Sequence, residues 1–223
     1  MAKSITCVYT AMGLQDRLQP MLEDVYGKDT VFHHIVDSGF IRDVVAADGM
    51  TDQLKKRLNA LLDSAALTDP DLLLVTCSSI GYAAEEYAQA HPEVPLMRID
   101  YPMAKTAAEN GKNIVVLATL STTVTPSCEL IERIARQIGR DVSVRAVTAD
   151  GAYALSNRGE KEKAAQMVER AVREYCMDAD TIVLAQASMA MFRSSIEEIL
   201  GKDITILESP ATCCAYLKAC EEK

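Results

Sequence analysis

The sequence predicts an α/β protein built from two similar halves. Short runs of apolar and β-branched residues alternate with longer stretches in which apolar residues recur at helical spacing, the pattern of a parallel sheet covered by helices. The order of these runs then repeats at a fixed distance along the chain. With 223 residues, the chain is also long enough to bury the cores of two small domains.

Strand-like runs occur at eight places: 4–10, 31–36, 71–76, 94–99, 113–119, 142–147, 180–185 and 203–208. Helical faces are clear in two of the intervening stretches: Leu54, Leu58, Leu61, Leu62 and Ala65, and then Ala164, Val168, Ala171, Val172 and Tyr175. Thr125 before Pro126 is typical of a helix N-cap followed by the first helical residue. No proline-rich or low-complexity linker is present, so we expect any domain boundary to be a tight crossover.

The repeat relates four pairs of strands at one constant spacing, the distance from Ser4 to Asn113. The pairs are SITCVYT with NIVVLAT, VFHHIVD with RDVSVRA, DPDLLLVTCSS with DADTIVLAQAS, and VPLMRID with DITILES. We therefore predict two pseudo-symmetric flavodoxin-like or Rossmann-like three-layer domains, each a roughly four-stranded parallel sheet flanked by helices. The expected lobes are residues 1–100 with 209–223, and residues 101–208, with an active-site cleft between them.

The net charge of the chain disfavours two classes of binding partner, nucleic acids and membranes. The chain has 23 basic and 32 acidic residues and a net charge of −9, which repels phosphate backbones and anionic lipid surfaces, so we expect neither a nucleic-acid nor a membrane partner. The start, MAKSITCVYTAMG, lacks the apolar segment of a signal peptide, which predicts a cytoplasmic protein with reduced cysteines.

Metal and nucleotide sites find no support in the sequence. His33 and His34 are adjacent and so point to opposite faces of a strand, and Cys213-Cys214 lacks the spacer of a zinc or redox motif. No glycine-rich dinucleotide or phosphate loop follows a strand. We therefore predict no metal and no cofactor.

Cys77 is a candidate functional residue because it lies at the end of a strand-like apolar run, in LVTCSSIG. In open parallel sheets ligands bind beyond the carboxyl ends of the strands. A helix beginning near Ser79 would favour a thiolate at Cys77, and Ser78 and Ser79 would donate hydrogen bonds to a substrate anion. The repeat places Gln186 at the position equivalent to Cys77, so we expect a thiol on one side of a substrate and an amide on the other.

Three segments, VTCSSIG, VLATLSTT and VLAQASM, resemble the signature segments of the aspartate/glutamate/hydantoin racemase superfamily, and the likeness covers nearly the whole chain. The resemblance implies two pseudo-symmetric α/β domains that each bring a cysteine to a carbon acid, one removing a proton and the other returning one, without metal or cofactor. Cys77 matches the first cysteine. The second falls at Gln186, whose amide cannot exchange a proton at neutral pH.

The same resemblance assigns a substrate-binding set. Residues 118–123 resemble the family's threonine loop that holds the substrate carboxylate, which implicates Thr119, Thr122 and Thr123 and, as the repeat mate of Thr119, Thr10. Ala187 and Ser188, beside Gln186, complete the set. Decarboxylase relatives carry a tyrosine after the proline of this loop, whereas Ser127 follows Pro126 here. The resemblance also suggests a homodimer.

Three functions remain open from the sequence. The first is a cofactor-independent isomerase of a small amino, hydroxy or sugar-type acid, in which Cys77 is the acid/base and Tyr9, Tyr101 or Tyr153 supplies a second proton. The second is a lyase of the decarboxylase kind, in which Cys77 alone protonates the enediolate. The third is a non-catalytic small-molecule binding protein. Asp100 and Ser209, repeat mates at strand ends, are expected to cap helices.

Overall fold

The computed structural model describes residues 2–201 and 203–222, and each of its two sheets has four strands that are all parallel. The strands are β1 (Ser4–Tyr9), β2 (Val31–Val36), β3 (Leu72–Val75), β4 (Leu96–Arg98), β5 (Asn113–Ala118), β6 (Ser143–Thr148), β7 (Thr181–Leu184) and β8 (Thr205–Glu208). The order is β2-β1-β3-β4 in one sheet and β6-β5-β7-β8 in the other. The predicted α/β class and all eight strands are therefore confirmed, and only the strand ends are slightly displaced.

Ten α-helices connect these strands in the part of the chain that the structure describes. They are α1 (Gln15–Tyr26), α2 (Phe40–Ala46), α3 (Asp52–Ala66), α4 (Gly81–Ala90), α5 (Tyr101–Asn110), α6 (Ser121–Gln137), α7 (Ala152–Asn157), α8 (Lys161–Tyr175), α9 (Arg193–Leu200) and α10 (Ser209–Glu221). Short 3₁₀ turns, Ser78–Ile80 and Ala187–Phe192, follow β3 and β7. Within 2–201 and 203–222, no helix combines the length and apolarity needed to cross a membrane.

The chain divides into two compact units. Unit 1 contains the described residues up to Tyr101 and those from Pro210 onward, and unit 2 contains Pro102–Ser209. In unit 1, one sheet face packs Val8, Leu73 and Val75 against α2, α3 and α4. The other face packs Ile5, Cys7 and Leu74 against α1 and α10. Because both faces are covered, the central strands of this sheet are mostly apolar, as parallel strands are expected to be.

The predicted helical faces largely point into these cores. Leu54, Leu58, Leu62 and Ala65 of α3 are buried, and so are Ala164, Val168, Ala171 and Val172 of α8. The prediction that Tyr175 belongs to the buried face of α8 is wrong, because Tyr175 is the last residue of the helix and is 51% exposed.

The repeat extends to a side-chain hydrogen bond that anchors the start of each sheet. The Asp71 carboxylate accepts a hydrogen bond from the Ser4 amide at 2.8 Å, and the Asp180 carboxylate accepts one from the Asn113 amide at 2.8 Å. One strand pair departs from the predicted spacing: β2 begins at Val31, but β6 begins at Ser143 and not at Arg140, where the repeat would place it. The reason is that α6 ends at Gln137, two residues beyond the repeat mate of Tyr26, and that the connection to β6 is one residue longer than the one to β2.

Candidate active site

In unit 1, Cys77 and Thr10 follow two neighbouring strands at their carboxyl ends. Val8 of β1 pairs with Val75 of β3, so the residues two positions further on reach the same edge of the sheet together. The Thr76 amide donates to the Val8 carbonyl oxygen at 3.1 Å, and the Thr76 hydroxyl donates to the same oxygen at 2.9 Å. These bonds hold the chain extended up to Cys77, where the 3₁₀ turn begins.

The Cys77 side chain is only partly exposed, and burial raises the pKa of its thiol above the ordinary value. Hydrogen bonds from the Thr10 hydroxyl and from the amide and hydroxyl of Ser79 lower this pKa, but they do not outweigh the loss of hydration. Burial therefore opposes the thiolate that the sequence leads us to expect at Cys77. Only a three-residue turn follows Cys77, and α4 begins at Gly81.

In unit 2, Gln186 and Thr119 occupy the equivalent strand ends. Leu117 of β5 pairs with Leu184 of β7, and Gln186 follows in extended conformation. Its side-chain oxygen Oε1 accepts hydrogen bonds from the Thr119 amide at 2.6 Å and from the Thr119 hydroxyl at 2.9 Å. Because the Thr119 amide can only donate, the oxygen is the end of the Gln186 amide that faces it, and Nε2 is the end left to donate.

The two units therefore repeat one contact with different chemistry. Thr10 bonds Cys77 in unit 1, and its repeat mate Thr119 bonds Gln186 in unit 2. The predicted residues Thr10 with Cys77, and Thr119 with Gln186, are thus brought together within their own units. Ser78 and Ser79 are buried beside Cys77, whereas Ala187 is partly buried and Ser188 is exposed.

The threonine loop of unit 2 lies at the start of α6. The helix begins at Ser121, so the expected N-cap at Thr125 and first helical position at Pro126 are wrong, and both residues lie inside the helix. Leu120, at the N-cap, has an apolar side chain and provides no side-chain hydrogen bond to the amides of the first turn. Thr123 is buried, and the hydroxyl oxygen of Thr122 is buried without a hydrogen-bond partner among the described residues.

Of the tyrosines considered as a second proton donor, Tyr9 is already engaged. Its hydroxyl lies 3.1 Å from Nδ1 of His34, whose Nε2 lies 3.0 Å from Oε1 of Gln19. Burial raises the pKa of Tyr9, and so does the neighbouring Cys7. A fully buried phenol with a partner and a raised pKa is a structural group, so Tyr9 is a poor proton donor.

Sequence reasoning missed Arg98. Its guanidinium donates to both carboxylate oxygens of Asp100, from Nε at 2.8 Å and from Nη2 at 2.7 Å, and all of these groups are buried. Asp100 was expected to cap a helix, and it does precede α5, but its oxygens are occupied by Arg98. An arginine two residues before an aspartate at a strand end is the sequence signal that could have revealed the pair.

Metal ligands do not cluster in the described parts of the chain. No group of three or more His, Cys, Asp or Glu side chains there could hold a metal ion. The seven cysteines are free thiols, of which Cys220 is exposed and Cys77 and Cys128 are partly buried.

Comparisons with known proteins agree with this architecture. A sequence model of the family described as Asp/Glu/hydantoin racemase matches residues 12–216. A glutamate racemase from Bacillus anthracis superposes with a TM-score of 0.80 at 16% identity, over 99% of this chain and 82% of its own. The aspartate racemase of Picrophilus torridus gives 0.69 at 13% identity, over 100% and 95% of the two chains.

An allantoin racemase from Klebsiella pneumoniae superposes with a TM-score of 0.64 at 13% identity, over 99% of this chain and 88% of its own. At these identities the solved structures establish a common fold. No curated protein matches the chain in sequence.

Proposed function

The chain belongs to the Asp/Glu/hydantoin racemase family, whose namesake members are isomerases, and on this premise we propose that it is a cofactor-independent isomerase of a small carboxylic acid with Cys77 as its acid/base. One observation carries the proposal: a partly exposed thiol stands at the carboxyl end of β3 with two hydroxyl groups and an amide bonded to it. Those donors stabilise the charge that a sulfur gains when it gives up a proton.

The substrate proposed is an amino, hydroxy or sugar-type acid. Moving a proton at the carbon next to a carboxylate creates an enediolate, which hydrogen-bond donors stabilise. The start of α6 supports a carboxylate ligand, because its first-turn amides have no side-chain cap and the buried Thr122 hydroxyl has no partner among residues 2–201 and 203–222. We assign Thr119, Thr122 and Thr123 to carboxylate binding, with Thr10, Ser78 and Ser79 supporting Cys77.

Gln186 favours a second candidate, a lyase of the decarboxylase kind. With Oε1 held by Thr119, Gln186 donates through Nε2 and carries no exchangeable acid proton at neutral pH. In a malonate-type acid, the carbon–carbon bond to one carboxylate breaks and carbon dioxide leaves with the enediolate remaining. The Cys77 thiol then gives its proton to that carbon, and the resulting thiolate recovers a proton from water.

The test is turnover in deuterium oxide. Amino, hydroxy and malonate-type acids are incubated with the protein, and deuterium at the α-carbon, product chirality and carbon dioxide are followed. Deuterium uptake without loss of carbon supports the isomerase, and stoichiometric carbon dioxide supports the lyase. Tight binding without either event would leave only a binding protein and would overturn the proposal.

Cysteine variants assign the reacting group. We expect Cys77→Ser to lower turnover by roughly 100-fold or more, because a serine hydroxyl is a far weaker acid than a thiol. The matched control is Cys220→Ser, which removes an exposed thiol and should keep full activity. If Cys77→Ser turns over the substrate at the wild-type rate, the assignment of Cys77 is wrong.

A further inference from the structure

A buried ion pair occupies the strand next to the Cys77 strand. The side chains of Arg98 and Asp100 are 4% and 2% exposed, and they form the two hydrogen bonds described above. Glu85 of α4 adds a third contact, with Oε1 at 3.3 Å from Nη1 of Arg98. A guanidinium with two carboxylates around it is fixed in orientation, because its donors form a rigid fork.

The register of β3 and β4 places Asp100 beside Cys77. Val75 pairs with Arg98 at the ends of the two strands. The Ile99 amide also donates to the Val75 carbonyl oxygen at 2.9 Å, so the hydrogen bonding between the two strands extends one residue past β4. Cys77 and Asp100 each lie two residues beyond the end of these neighbouring strands, at the same edge of the sheet. Burial is the main cause that raises the pKa of the Cys77 thiol, and the negative charge of Asp100 raises it further.

Gly81 shows how closely Arg98 approaches the segment that carries Cys77. A Cβ atom built on Gly81 would lie 2.2 Å from Cζ of Arg98, well inside van der Waals contact. The guanidinium therefore fills the space against the first residue of α4, shortly after Cys77 in the chain. The glycine of LVTCSSIG is thus required by packing, since any side chain there would displace Arg98.

Unit 2 builds the same sheet without this ion pair. The repeat mates of Arg98 and Asp100, at the spacing that relates Ser4 to Asn113, are Leu207 and Ser209. The order β6-β5-β7-β8 nevertheless reproduces β2-β1-β3-β4. Burying an ion pair is costly and often stabilises less than apolar residues of similar size, so the fold alone does not explain Arg98 and Asp100. The pair occurs in the unit that carries the thiol.

We propose that Arg98 and Asp100 are positioning residues of the Cys77 site: Asp100 holds a negative charge near the strand end that carries the sulfur, and Arg98 holds that carboxylate and the start of α4 in place. The inference rests on the proposed function for its purpose and fits its decarboxylase candidate, in which the Cys77 thiol gives a proton to the substrate carbon. The other groups that act on Cys77, Thr10 and Ser79, are neutral and donate hydrogen bonds.

The test measures the pH dependence of Cys77 alkylation without substrate. Iodoacetamide labelling of the peptide that contains Cys77 is quantified by mass spectrometry across neutral and alkaline pH. We expect Asp100→Asn to move the profile down by about one pH unit, because the amide keeps the shape and removes the charge. We expect Gly81→Ala to move it up, because the new methyl group pushes the guanidinium away and leaves Asp100 less compensated.

The matched control is Glu86→Gln, which removes a carboxylate from the same helix as Glu85. Glu86 pairs with Lys55 on the surface at 2.8 Å and should leave the Cys77 profile unchanged. If Asp100→Asn does not fold, Arg98→Lys replaces it, and an upward shift is expected because an ammonium loses the two-point hold on Asp100.

Opposite shifts in Asp100→Asn and Gly81→Ala support the proposal, since simple loosening would move both profiles the same way. An unchanged profile in folded Asp100→Asn, or shifts of one sign in both variants, would overturn it. The readout is independent of turnover. If Cys77→Ser kept its activity, the proposed function would fail while the alkylation result would still decide whether the ion pair controls the thiol.

Discussion

At the residue scale, Gln186 places a neutral amide at the strand end of unit 2. Its Oε1 accepts from the amide and the hydroxyl of Thr119, so the side chain is held as a neutral hydrogen-bond donor. In unit 1, Thr10 makes the corresponding contact to a thiol. The hydroxyl that would serve a second cysteine is therefore already in place at Thr119.

Replacing Gln186 by cysteine should add the missing proton carrier. The substrate for this test is one whose α-proton the wild type exchanges with solvent, or which it decarboxylates, without racemising it. We expect Gln186→Cys to raise the rate of its racemisation by at least about ten-fold. This factor is below the usual contribution of acid–base catalysis because the new thiol is not optimally placed. Chiral chromatography of product formed in deuterium oxide measures the change. Gln186→Ser is the control, because it is small and hydroxylic but has no comparable acidity. A folded Gln186→Cys protein with the wild-type product ratio would contradict the prediction.

At the scale of secondary structure, Asp180 fastens the start of β5 to the start of β7. Its carboxylate accepts hydrogen bonds from the backbone amides of Lys112 at 3.1 Å and Asn113 at 2.8 Å. Asn113 is the first residue of β5, and Lys112 precedes it. Burial raises the pKa of Asp180, but these backbone hydrogen bonds outweigh burial and hold the pKa below its ordinary value. The carboxylate is therefore bound more tightly in its charged form when the protein is folded.

Asp180→Asn should cost about 1 kcal/mol of unfolding free energy at neutral pH, a low figure because the site is exposed. A lowered folded-state pKa gives stability that is present above the unfolded value, near 4, and is lost as the pH falls through the folded value. The difference from wild type should therefore shrink in acid, which urea titrations at neutral and acidic pH would show. Asp178→Asn, which removes an exposed surface partner of Arg145, is the control. A difference that persists unchanged in acid would contradict this account.

Elements were easier to predict than their ends. The strands follow from runs such as Leu72–Val75, whose apolar character depends only on burial of both faces of the sheet. The start of α6 was misplaced because Pro126 signals a first helical position, yet proline is tolerated within the helix here. The conformational preference of one residue contributes less to the position of a helix than the burial of its apolar side chains, such as Leu130 and Ile134.

For the whole molecule, the buried thiols predict that the folded protein loses stability at alkaline pH. Burial raises the pKa of Cys7 to about 12 and that of Cys176 to about 11, and it raises the pKa of Cys213 as well. These groups lose their protons more readily in the unfolded chain. Their stabilising effect is complete below the ordinary thiol pKa of about 8.5 and is lost as the pH rises toward the folded values.

The free energy of unfolding should therefore fall between about pH 7.5 and pH 9.5, by roughly 1 kcal/mol for each fully buried thiol. Urea titrations under reducing conditions measure it. Cys176→Ala should be less stable at both pH values because of the cavity, but should show a smaller alkaline drop. Cys220→Ala, at an exposed position, should keep the wild-type drop. Equal drops in all three proteins would show that buried thiols are not the cause.

The sequence by itself determined the strands, the approximate repeat and the family, because apolar runs and their order are local properties that any alignment of the two halves exposes. It also marked Cys77, Thr10, Thr119 and Gln186 as strand-end residues. Only the tertiary structure decided the direction in which burial moves the pKa of Cys77, the side of Gln186 that faces Thr119, and the partnership of Arg98 with Asp100 and Gly81. Those depend on burial and on contacts between distant parts of the chain, as between Thr119 and Gln186. Neither desolvation nor the direction of a hydrogen bond is encoded at a single position, because both arise when separate strands end side by side.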